Sequence, residues 1–273
     1  MGPTGQHRVG ALSGEHLAAW QRDGFFFLRR FATAETCRRQ WDRAVALVRC
    51  EASGGSIGAA YTLKEDRLVS PDRLPEEQTS KIFKVHRHEE VFRSFCRDPR
   101  LLAVIGGLLG PDVDCFLSQF IFKHRGSLGQ PWHQDSWYFP FDKSPQVGVW
   151  LAITEAREDN GPLWVLPGSH TEPIHDVVAD RRPGANYGYV EIVDHDTSGA
   201  VPVLMQPGDL LVFHSHLMHK STDHRAGAVR AAMVFHYTEA GTADGTLERW
   251  GFESPNNDFL AVLRDGRPAP TES

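Results

Sequence analysis

The pattern of hydrophobic and polar positions changes near residue 112. Before it, apolar residues recur mostly at helical spacing, and after it short runs rich in β-branched and aromatic residues alternate with turn signals such as DNG, PGSH and QPGD. Many short strands at regular spacing are typical of an antiparallel sandwich or barrel. The pattern predicts an α+β chain, with a double-sheet barrel at its centre and helices packed outside it. The predicted strand runs are VDCFLSQFIFK, WHQDSWYF, VGVWLAI, LWVLP, YVEIV, VPVLM, DLLVFH and AAMVFHY.

Helix signals dominate the first 110 residues. Ser13 can cap a short helix that ends at Gly24, and FFFLRRF then reads as a buried strand over 25–31. A second helix is predicted from Thr33, where apolar positions follow at helical spacing. A third begins at Asp98, with proline in its first turn, and closes at Gly110.

The chain is interpreted as one domain with three parts. The predicted parts are a helical and strand-containing region at about 12–110, a barrel core at about 111–240 and a C-terminal extension over 241–273. Residues 51–80 show little periodicity and read as a long loop, which in a compact domain is usually functional or disordered. Residues 174–200 interrupt the strand pattern and read as an insertion.

Composition and charge exclude several classes of protein. The 273 residues carry a formal charge of -6, which argues against a general nucleic-acid binder. No apolar run approaches the roughly 20 residues needed to cross a bilayer, and no secretory signal is visible. Four cysteines lack CxxC spacing, so reduced thiols are the simplest reading. We expect a cytoplasmic protein with a small-molecule substrate, no membrane or nucleic-acid partner and no obligate protein partner.

The stretch WHQDSW raises the first question of chemistry. In a strand, His133 and Asp135 would project to the same face, because side chains alternate with a period of two. Non-haem Fe(II) oxygenases hold iron with two histidines and one carboxylate and leave the remaining positions open. The pair alone is weak, because two residues at this spacing recur by chance. The candidates for a third ligand are His214, His216, His219 and His224.

An arginine helps to choose among these candidates. Arg230 lies eleven residues after His219, at the start of a predicted strand. That distance leaves room for a strand end, a turn and a return along the neighbouring strand. An arginine placed there could form a bidentate pair with a small dicarboxylate beside the metal, or a structural ion pair.

Together these motifs resemble a known family. HQD at 133–135, GVWLAI at 148–153, DNGPLWVLPGSH at 159–170 and PGDLLVFHSHLMHKS at 207–221 occur in order, followed by Arg230 and its strand. The chain resembles the phytanoyl-CoA dioxygenase family, which comprises Fe(II)- and 2-oxoglutarate-dependent oxygenases. It is more similar to the short, domain-containing branch than to the peroxisomal enzyme. The resemblance implies a double-stranded β-helix core, also called a jelly roll, of the cupin-like kind.

The resemblance also implies roles for individual residues. The implied iron ligands are His133, Asp135 and His219. The implied contacts of 2-oxoglutarate are Arg230, Ser221, Trp150, Gln119 and Lys81, with Lys84 as the alternative to Lys81. The family carries a methionine where this chain has Gln119, so a more polar contact is implied there. No catalytic residue separate from the metal site is implied.

The implied function is oxidation by Fe(II), 2-oxoglutarate and O2. Hydroxylation of a C–H bond in a small organic substrate, with release of succinate and CO2, is expected, and a role in secondary metabolism is one hypothesis. Relatives that halogenate lack the carboxylate ligand, whereas Asp135 is present. Two alternatives stay open: a non-catalytic barrel that binds metal and 2-oxoglutarate, and a cupin-type metal enzyme of another reaction class.

Aromatic residues follow the HQD motif. They either pack the barrel or line a substrate mouth together with the 51–80 segment. The candidate substrate residues are Trp137, Tyr138 and Phe141.

Overall fold

The computed structural model describes residues 12–185, 188–225, 227–250 and 257–270. The helices within these ranges are α1 (Gly14–Asp23), α2 (Ala34–Ala52), α3 (Glu90–Cys96), α4 (Pro99–Leu109), α5 (Asp135–Tyr138) and α6 (Thr246–Trp250). The first strands are β1 (Phe25–Leu28), β2 (Tyr61–Lys64), β3 (Thr79–Phe83), β4 (Val113–Lys123), β5 (Val147–Ala152), β6 (Leu163–Val165) and β7 (Val178–Ala179). The later strands are β8 (Val190–Glu191), β9 (Val201–Val203), β10 (Leu210–His214), β11 (His219–Ser221), β12 (Arg230–Glu239), β13 (Leu260–Arg264) and β14 (Arg267–Pro268). Short 3-10 helices cover Asp66–Leu68, Pro75–Gln78 and Ser169–Thr171.

Two antiparallel sheets form the barrel. The large sheet has the order β1-β10-β5-β12-β4-β13-β14, and β3 also pairs with β4 and carries β2. The smaller sheet has the order β11-β6-β9. The predicted α+β fold with a double-stranded β-helix core is confirmed. Strand β13 lies beyond residue 240 and pairs with β4, so the C-terminal part of the chain contributes to the large sheet.

The two faces of the large sheet bury different cores. On β12, Ala231, Met233 and Phe235 pack in the main core with residues of α2 and α4. The alternate positions Ala232 and Val234 pack in a second core, which lies between the two sheets. Strand periodicity therefore decides which side chains reach the barrel interior.

The predicted helices before residue 112 are confirmed. The Ser13 hydroxyl accepts a hydrogen bond from the His16 amide at 3.2 Å, and Gly24 closes the helix with φ of +82°. Thr33 caps α2, and Asp98 caps α4 through the Arg100 amide at 2.9 Å. Among the described residues, no helix is both long and apolar enough to cross a membrane.

Three predicted boundaries were wrong. The strand predicted over 25–31 ends at residue 28, because the Arg30 amide turns to the Asp209 carboxylate at 2.8 Å. The 51–80 segment is not one loop, since it contains β2 and the start of β3. The stretch WHQDSWYF is not a strand: His133 forms a single bridge, and α5 begins at Asp135. Its aromatic alternation resembles a strand, but the Phe139 amide bonds to the Asp135 carbonyl and closes a helical turn.

The inserted segment 174–200 folds back on the barrel. Its strands β7 and β8 form a small hairpin. The Ile192 amide donates to the Trp132 carbonyl at 2.8 Å, directly before the HQD motif. The insertion therefore contacts the chain beside the candidate ligands.

Gly148 makes room for an aromatic ring in the barrel interior. It lies opposite Phe213 in the β5–β10 register, and an added Cβ would lie 2.2 Å from the Phe213 Cζ. The Phe213 ring in turn contacts the His219 ring, with centroids 5.2 Å apart. The absent side chain at Gly148 thus sets the position of the ring that packs on His219.

We expect Gly148→Ala to lower the free energy of unfolding by roughly 1–3 kcal/mol, because overpacking forces Phe213 to shift. Denaturant titration measures this change. Gly14→Ala is the matched control, since apart from its chain neighbours and its own helix backbone no atom lies within 4 Å of the added Cβ. Alanine there should leave stability unchanged or slightly raised, because it favours the helix. Equal stability of the two variants would contradict the packing argument.

Candidate metal centre and adjoining pocket

Backbone pairing brings His133 and His219 side by side. Their amides and carbonyls exchange two hydrogen bonds of 3.0 Å each, and their ring centroids lie 4.2 Å apart. Asp135, at the first position of α5, turns its carboxylate toward both rings. All three side chains are buried. The predicted ligands are therefore together, although a helical turn rather than a continuous strand places Asp135.

Backbone carbonyls orient the two imidazoles. Nδ1 of His133 lies 2.7 Å from the Pro131 carbonyl oxygen, and Nδ1 of His219 lies 2.9 Å from that of Leu217. A carbonyl only accepts, so each Nδ1 carries the proton and each Nε2 keeps a lone pair. This arrangement is common for histidines that bind metal ions.

The ligand atoms converge without bonding to one another. Asp135 Oδ1 lies 3.7 Å from His133 Nε2 and 3.6 Å from His219 Nε2, too far for hydrogen bonds. Two ligands of one ion, each bonded at about 2.0–2.2 Å, lie about 3–3.5 Å apart. The spacing and donor set fit a metal ion, and two histidines with one carboxylate are the set found in non-haem iron oxygenases.

Electrostatics keeps these groups in the protonation states that a metal ion requires. Burial and the neighbouring His219 lower the pKa of His133 to about 3, so its imidazole is neutral at physiological pH. Burial works to raise the pKa of Asp135, but His219 and His236 outweigh it and hold the pKa below its usual range. A charged carboxylate and a neutral imidazole therefore face the same point.

His236 is a residue of this site that the sequence analysis missed. Its Nε2 lies 3.1 Å from Asp135 Oδ2, the carboxylate oxygen that faces away from the two other histidines. Its ring lies against Phe116, Phe139 and Phe213. His236 lies six positions after Arg230, on the same face of β12, and this period-two relation is a signal that could have found it.

Arg230 is a buried cation with an unused donor. Its Nε and Nη2 donate to the Gly161 carbonyl at 3.1 and 2.8 Å. Its Nη1 is buried and has no hydrogen-bond partner among the described residues, which also offer it no ion pair. Burial lowers the pKa of Arg230 to about 10, so the group is still charged at neutral pH. A buried charge of this kind is costly unless an anion binds beside it.

Ser221 and Lys123 lie next to Arg230. Lys123 is the register partner of Arg230 on β4, and it is a second residue that the sequence analysis missed. The Ser221 hydroxyl oxygen accepts hydrogen bonds from Lys123 Nζ and from the Gln130 amide, each at 3.0 Å. The hydroxyl hydrogen of Ser221 can therefore be donated to a further acceptor. Burial and the charge of Arg230 lower the pKa of Lys123 well below its ordinary value.

The structure separates the two candidate lysines. Lys81 is buried on β3, its Nζ lies 5.0 Å from the centre of the Tyr189 ring, and it pairs with Ile121, which packs on the core between the two sheets. Lys84 follows the end of β3, and its Nζ lies 6.0 Å from the centre of the Tyr61 ring. Lys81 therefore lies on the side of the metal cluster.

Trp150 and Gln119 face the same interior. Trp150 is buried on β5, and Arg230 Cζ lies 5.5 Å from the centre of its ring. Its Nε1 is buried without a hydrogen-bond partner in the described part of the chain. Gln119 is half-buried on β4 and pairs with Val234 of β12. It lies two positions before Ile121, which packs on the core between the sheets, so both residues share one face of β4. Both predicted contacts thus line the barrel between the two sheets.

The aromatic candidates go to different places. The Tyr138 hydroxyl accepts from the Val190 amide at 3.3 Å, and its ring centroid lies 5.8 Å from that of His133. Phe141 packs against Phe116, with centroids 4.8 Å apart, in an aromatic cluster. Arg249 Cζ lies 5.1 Å from the centre of the Trp137 ring. Tyr138 is thus in contact with the cluster and the insertion, and the substrate roles of all three residues stay predictions.

The fold and the buried His–Asp–His cluster define a metal-binding double-stranded β-helix protein. A profile of the phytanoyl-CoA dioxygenase (PhyH) family matches residues 20–232, and the chain belongs to this family. It is 28% identical to the rat phytanoyl-CoA dioxygenase domain-containing protein 1, over 89% of this chain and 95% of that protein. It is also 28% identical to the bovine peroxisomal phytanoyl-CoA dioxygenase, over 93% of this chain and 76% of that protein.

Solved structures share the fold. The non-haem monooxygenase ThoJ superposes with a TM-score of 0.68 at 21% identity, covering 93% of this chain and 86% of that chain. The 2-oxoglutarate-dependent epimerase SnoN gives 0.66 at 19% identity, with 94% of both chains covered. EctD from S. alaskensis with 2-oxoglutarate and 5-hydroxyectoine gives 0.62 at 23% identity, covering 86% and 79%.

We expect His236→Phe to weaken metal binding about 10- to 100-fold, because the aromatic surroundings accept the ring while Asp135 loses its donor. Titration of the apo-protein with Co²⁺ under neutral conditions measures the affinity. His88→Ala is the control, since His88 is exposed and lies outside the cluster. His236→Gln, which keeps a donor, should recover part of the loss. Undiminished affinity in His236→Phe would show that the contact does not support the carboxylate.

Proposed function

We propose that the protein is an Fe(II)- and 2-oxoglutarate-dependent dioxygenase that hydroxylates a C–H bond of a small organic substrate. The observation that carries the proposal is the buried Arg230, whose Nη1 has no partner among the described residues, in the barrel that also holds the His–Asp–His cluster. A metal-ligating cluster and a buried cation without an anionic partner among the described residues, both in the barrel interior, suit a co-substrate that chelates the metal and ends in a carboxylate. The family membership supports this assignment.

The residues divide into two sets. His133, Asp135 and His219 would hold iron through two Nε2 atoms and one carboxylate oxygen. Arg230 and the hydroxyl of Ser221 would hold the far carboxylate of 2-oxoglutarate through charge-assisted hydrogen bonds. The side chains that would complete the pocket are Lys123, Lys81, Trp150 and Gln119. A solved structure with the same fold supports both ligands, since SnoN is described in complex with Fe³⁺ and α-ketoglutarate.

The chain itself contributes binding, orientation and exclusion of water. Bound iron and 2-oxoglutarate would supply O2-dependent oxidation of a C–H bond, coupled to conversion of 2-oxoglutarate to succinate and CO2. The carbonyls of Pro131 and Leu217 fix the two imidazole rings, and His236 fixes the carboxylate. Asp135 would supply the carboxylate ligand that halogenating relatives lack, which favours hydroxylation over halogenation. The buried interior keeps these contacts strong, because the local dielectric is low.

Hydroxylation is the finer part of the proposal, since fold relatives differ in outcome. SnoN is described as an epimerase and SnoK as a carbocyclase. A product that gains one oxygen atom supports hydroxylation, whereas unchanged mass or loss of two hydrogens would contradict it. A non-catalytic barrel would release no succinate with any substrate. A cupin-type enzyme of another class would convert substrate without 2-oxoglutarate.

We expect anaerobic addition of Fe(II) and 2-oxoglutarate to give a visible charge-transfer band, and His133→Ala to abolish it by removing a ligand. Arg230→Lys should keep iron binding but weaken 2-oxoglutarate about 10- to 100-fold. A lost charge-assisted hydrogen bond costs about 1.5–3 kcal/mol, and lysine cannot form the bidentate pair. Arg43→Lys, in a surface pair with Glu89, is the matched control. No band in the intact protein would overturn the proposal.

Lys81→Met and Lys84→Met form a matched pair that tests the second cationic contact. We expect Lys81→Met to raise the KM for 2-oxoglutarate several-fold, because the Lys81 side chain is buried on the cluster side. Lys84→Met should leave this KM unchanged. Succinate release at varied 2-oxoglutarate measures both. The reverse order of effects would assign the contact to Lys84.

A further inference from the structure

A second group of metal-ligating side chains lies outside the barrel interior. Glu172, His175 and His195 each offer one ligand atom, and these atoms lie within 4.8 Å of one another. Glu172 Oε2 lies 2.8 Å from His175 Nε2 and 2.7 Å from His195 Nε2. The three side chains are half-buried, with 37%, 22% and 18% of their surface exposed, so an ion from solvent can reach them.

We propose that Glu172, His175 and His195 form a second metal site, for a structural zinc ion. Two imidazole nitrogens and one carboxylate oxygen are a donor set that zinc accepts, with water or another group completing the tetrahedron. Binding would lengthen the present contacts by about half an ångström, which small side-chain rotations supply. This site does not depend on the proposed oxygenase activity.

The protons of the cluster support this assignment. Nδ1 of His195 lies 2.9 Å from the Asp196 carbonyl oxygen, so it carries a proton. In the neutral ring, Nε2 then keeps a lone pair that can bind a metal ion. His133 and His219 show the same arrangement, with Nδ1 bonded to a carbonyl, so that Nε2 keeps its lone pair.

The position of the cluster gives a bound ion a structural role. Glu172 follows a 3-10 turn, and His195 follows β8, so an ion would close the base of the β7–β8 hairpin. Closing a loop of this length removes conformational freedom from the unfolded chain. The hairpin contributes the Val190 amide that bonds to Tyr138 beside His133.

A buried glutamine ties the second cluster to the first. Gln134 lies between two candidate iron ligands in sequence and is fully buried. Its Oε1 accepts from the His175 amide at 2.8 Å, and its Nε2 donates to the Pro173 carbonyl at 3.2 Å. The backbone that carries His175 is therefore fixed against the HQD motif. An ion bound at the second site would hold the insertion in a fixed position relative to the His133–Asp135–His219 cluster.

Metal stoichiometry tests the proposal. Chelator-treated protein titrated with Zn²⁺ against a chromophoric chelator should bind two equivalents per chain. His195→Ala and Glu172→Gln should each lose one equivalent, and His219→Ala should lose the other. His88→Ala should lose none. Zinc should also raise the Tm of the His219→Ala variant but not that of the His219→Ala/His195→Ala double variant.

The outcomes separate the two sites. If His219→Ala binds no zinc, or if His195→Ala binds as much as the intact protein, the second site is refuted and the cluster is a hydrogen-bonded contact. If only the equivalent that depends on His219 is missing, the iron proposal fails while the second site stands. Unaltered Tm of the Glu172→Gln and His195→Ala variants in excess chelator shows that any loss reflects binding rather than unfolding.

Discussion

The backbone pairing of His133 with His219 is the constraint on which the rest of the site depends. Two hydrogen bonds of 3.0 Å fix the register of this bridge, and a slip of one residue would turn either ring to the opposite face. Each imidazole then bonds through Nδ1 to the backbone carbonyl of the residue two positions before it, Pro131 or Leu217. The direction of both Nε2 lone pairs is thus set by local backbone geometry. The Asp135 carboxylate instead depends on a distant hydrogen-bond donor, since His236 of β12 lies 3.1 Å from its Oδ2.

Positive charge in the interior is the second determinant of what the barrel can hold. Arg230 and Lys123 are buried side by side on paired strands, and Lys81 is buried on the neighbouring strand. Burial alone disfavours each charge, which the lowered pKa values of Arg230 and Lys123 express. An anion bound beside Arg230 would relieve this cost and stabilise the folded protein by RT ln(1 + L/Kd), where L is the free anion concentration. Ligand recognition and stability therefore depend on the same group.

Sequence reasoning reached the residues whose spacing is fixed by one strand or one turn, and it missed residues that meet only through the fold. The caps Ser13, Thr33 and Asp98 act locally, and the predicted helices followed them. His236 and Lys123 acquire their contacts through sheet register, which depends on pairings across about a hundred residues. The HQD motif shows both cases. Its two candidate ligands do come together. They do so through the backbone bridge of His133 to His219 and a helical turn that begins at Asp135, and not through the continuous strand that the alternating pattern predicted.

Gln134 explains why the insertion and the metal cluster cannot be treated as independent parts. Its neighbours in sequence point into the cluster, while its own amide holds Pro173 and His175 on the opposite side. Movement at the base of the insertion would therefore pull on the short stretch between His133 and Asp135. The insertion also reaches Tyr138 through Val190 and the start of the motif through Ile192. These contacts place the β7–β8 insertion against one face of the cluster.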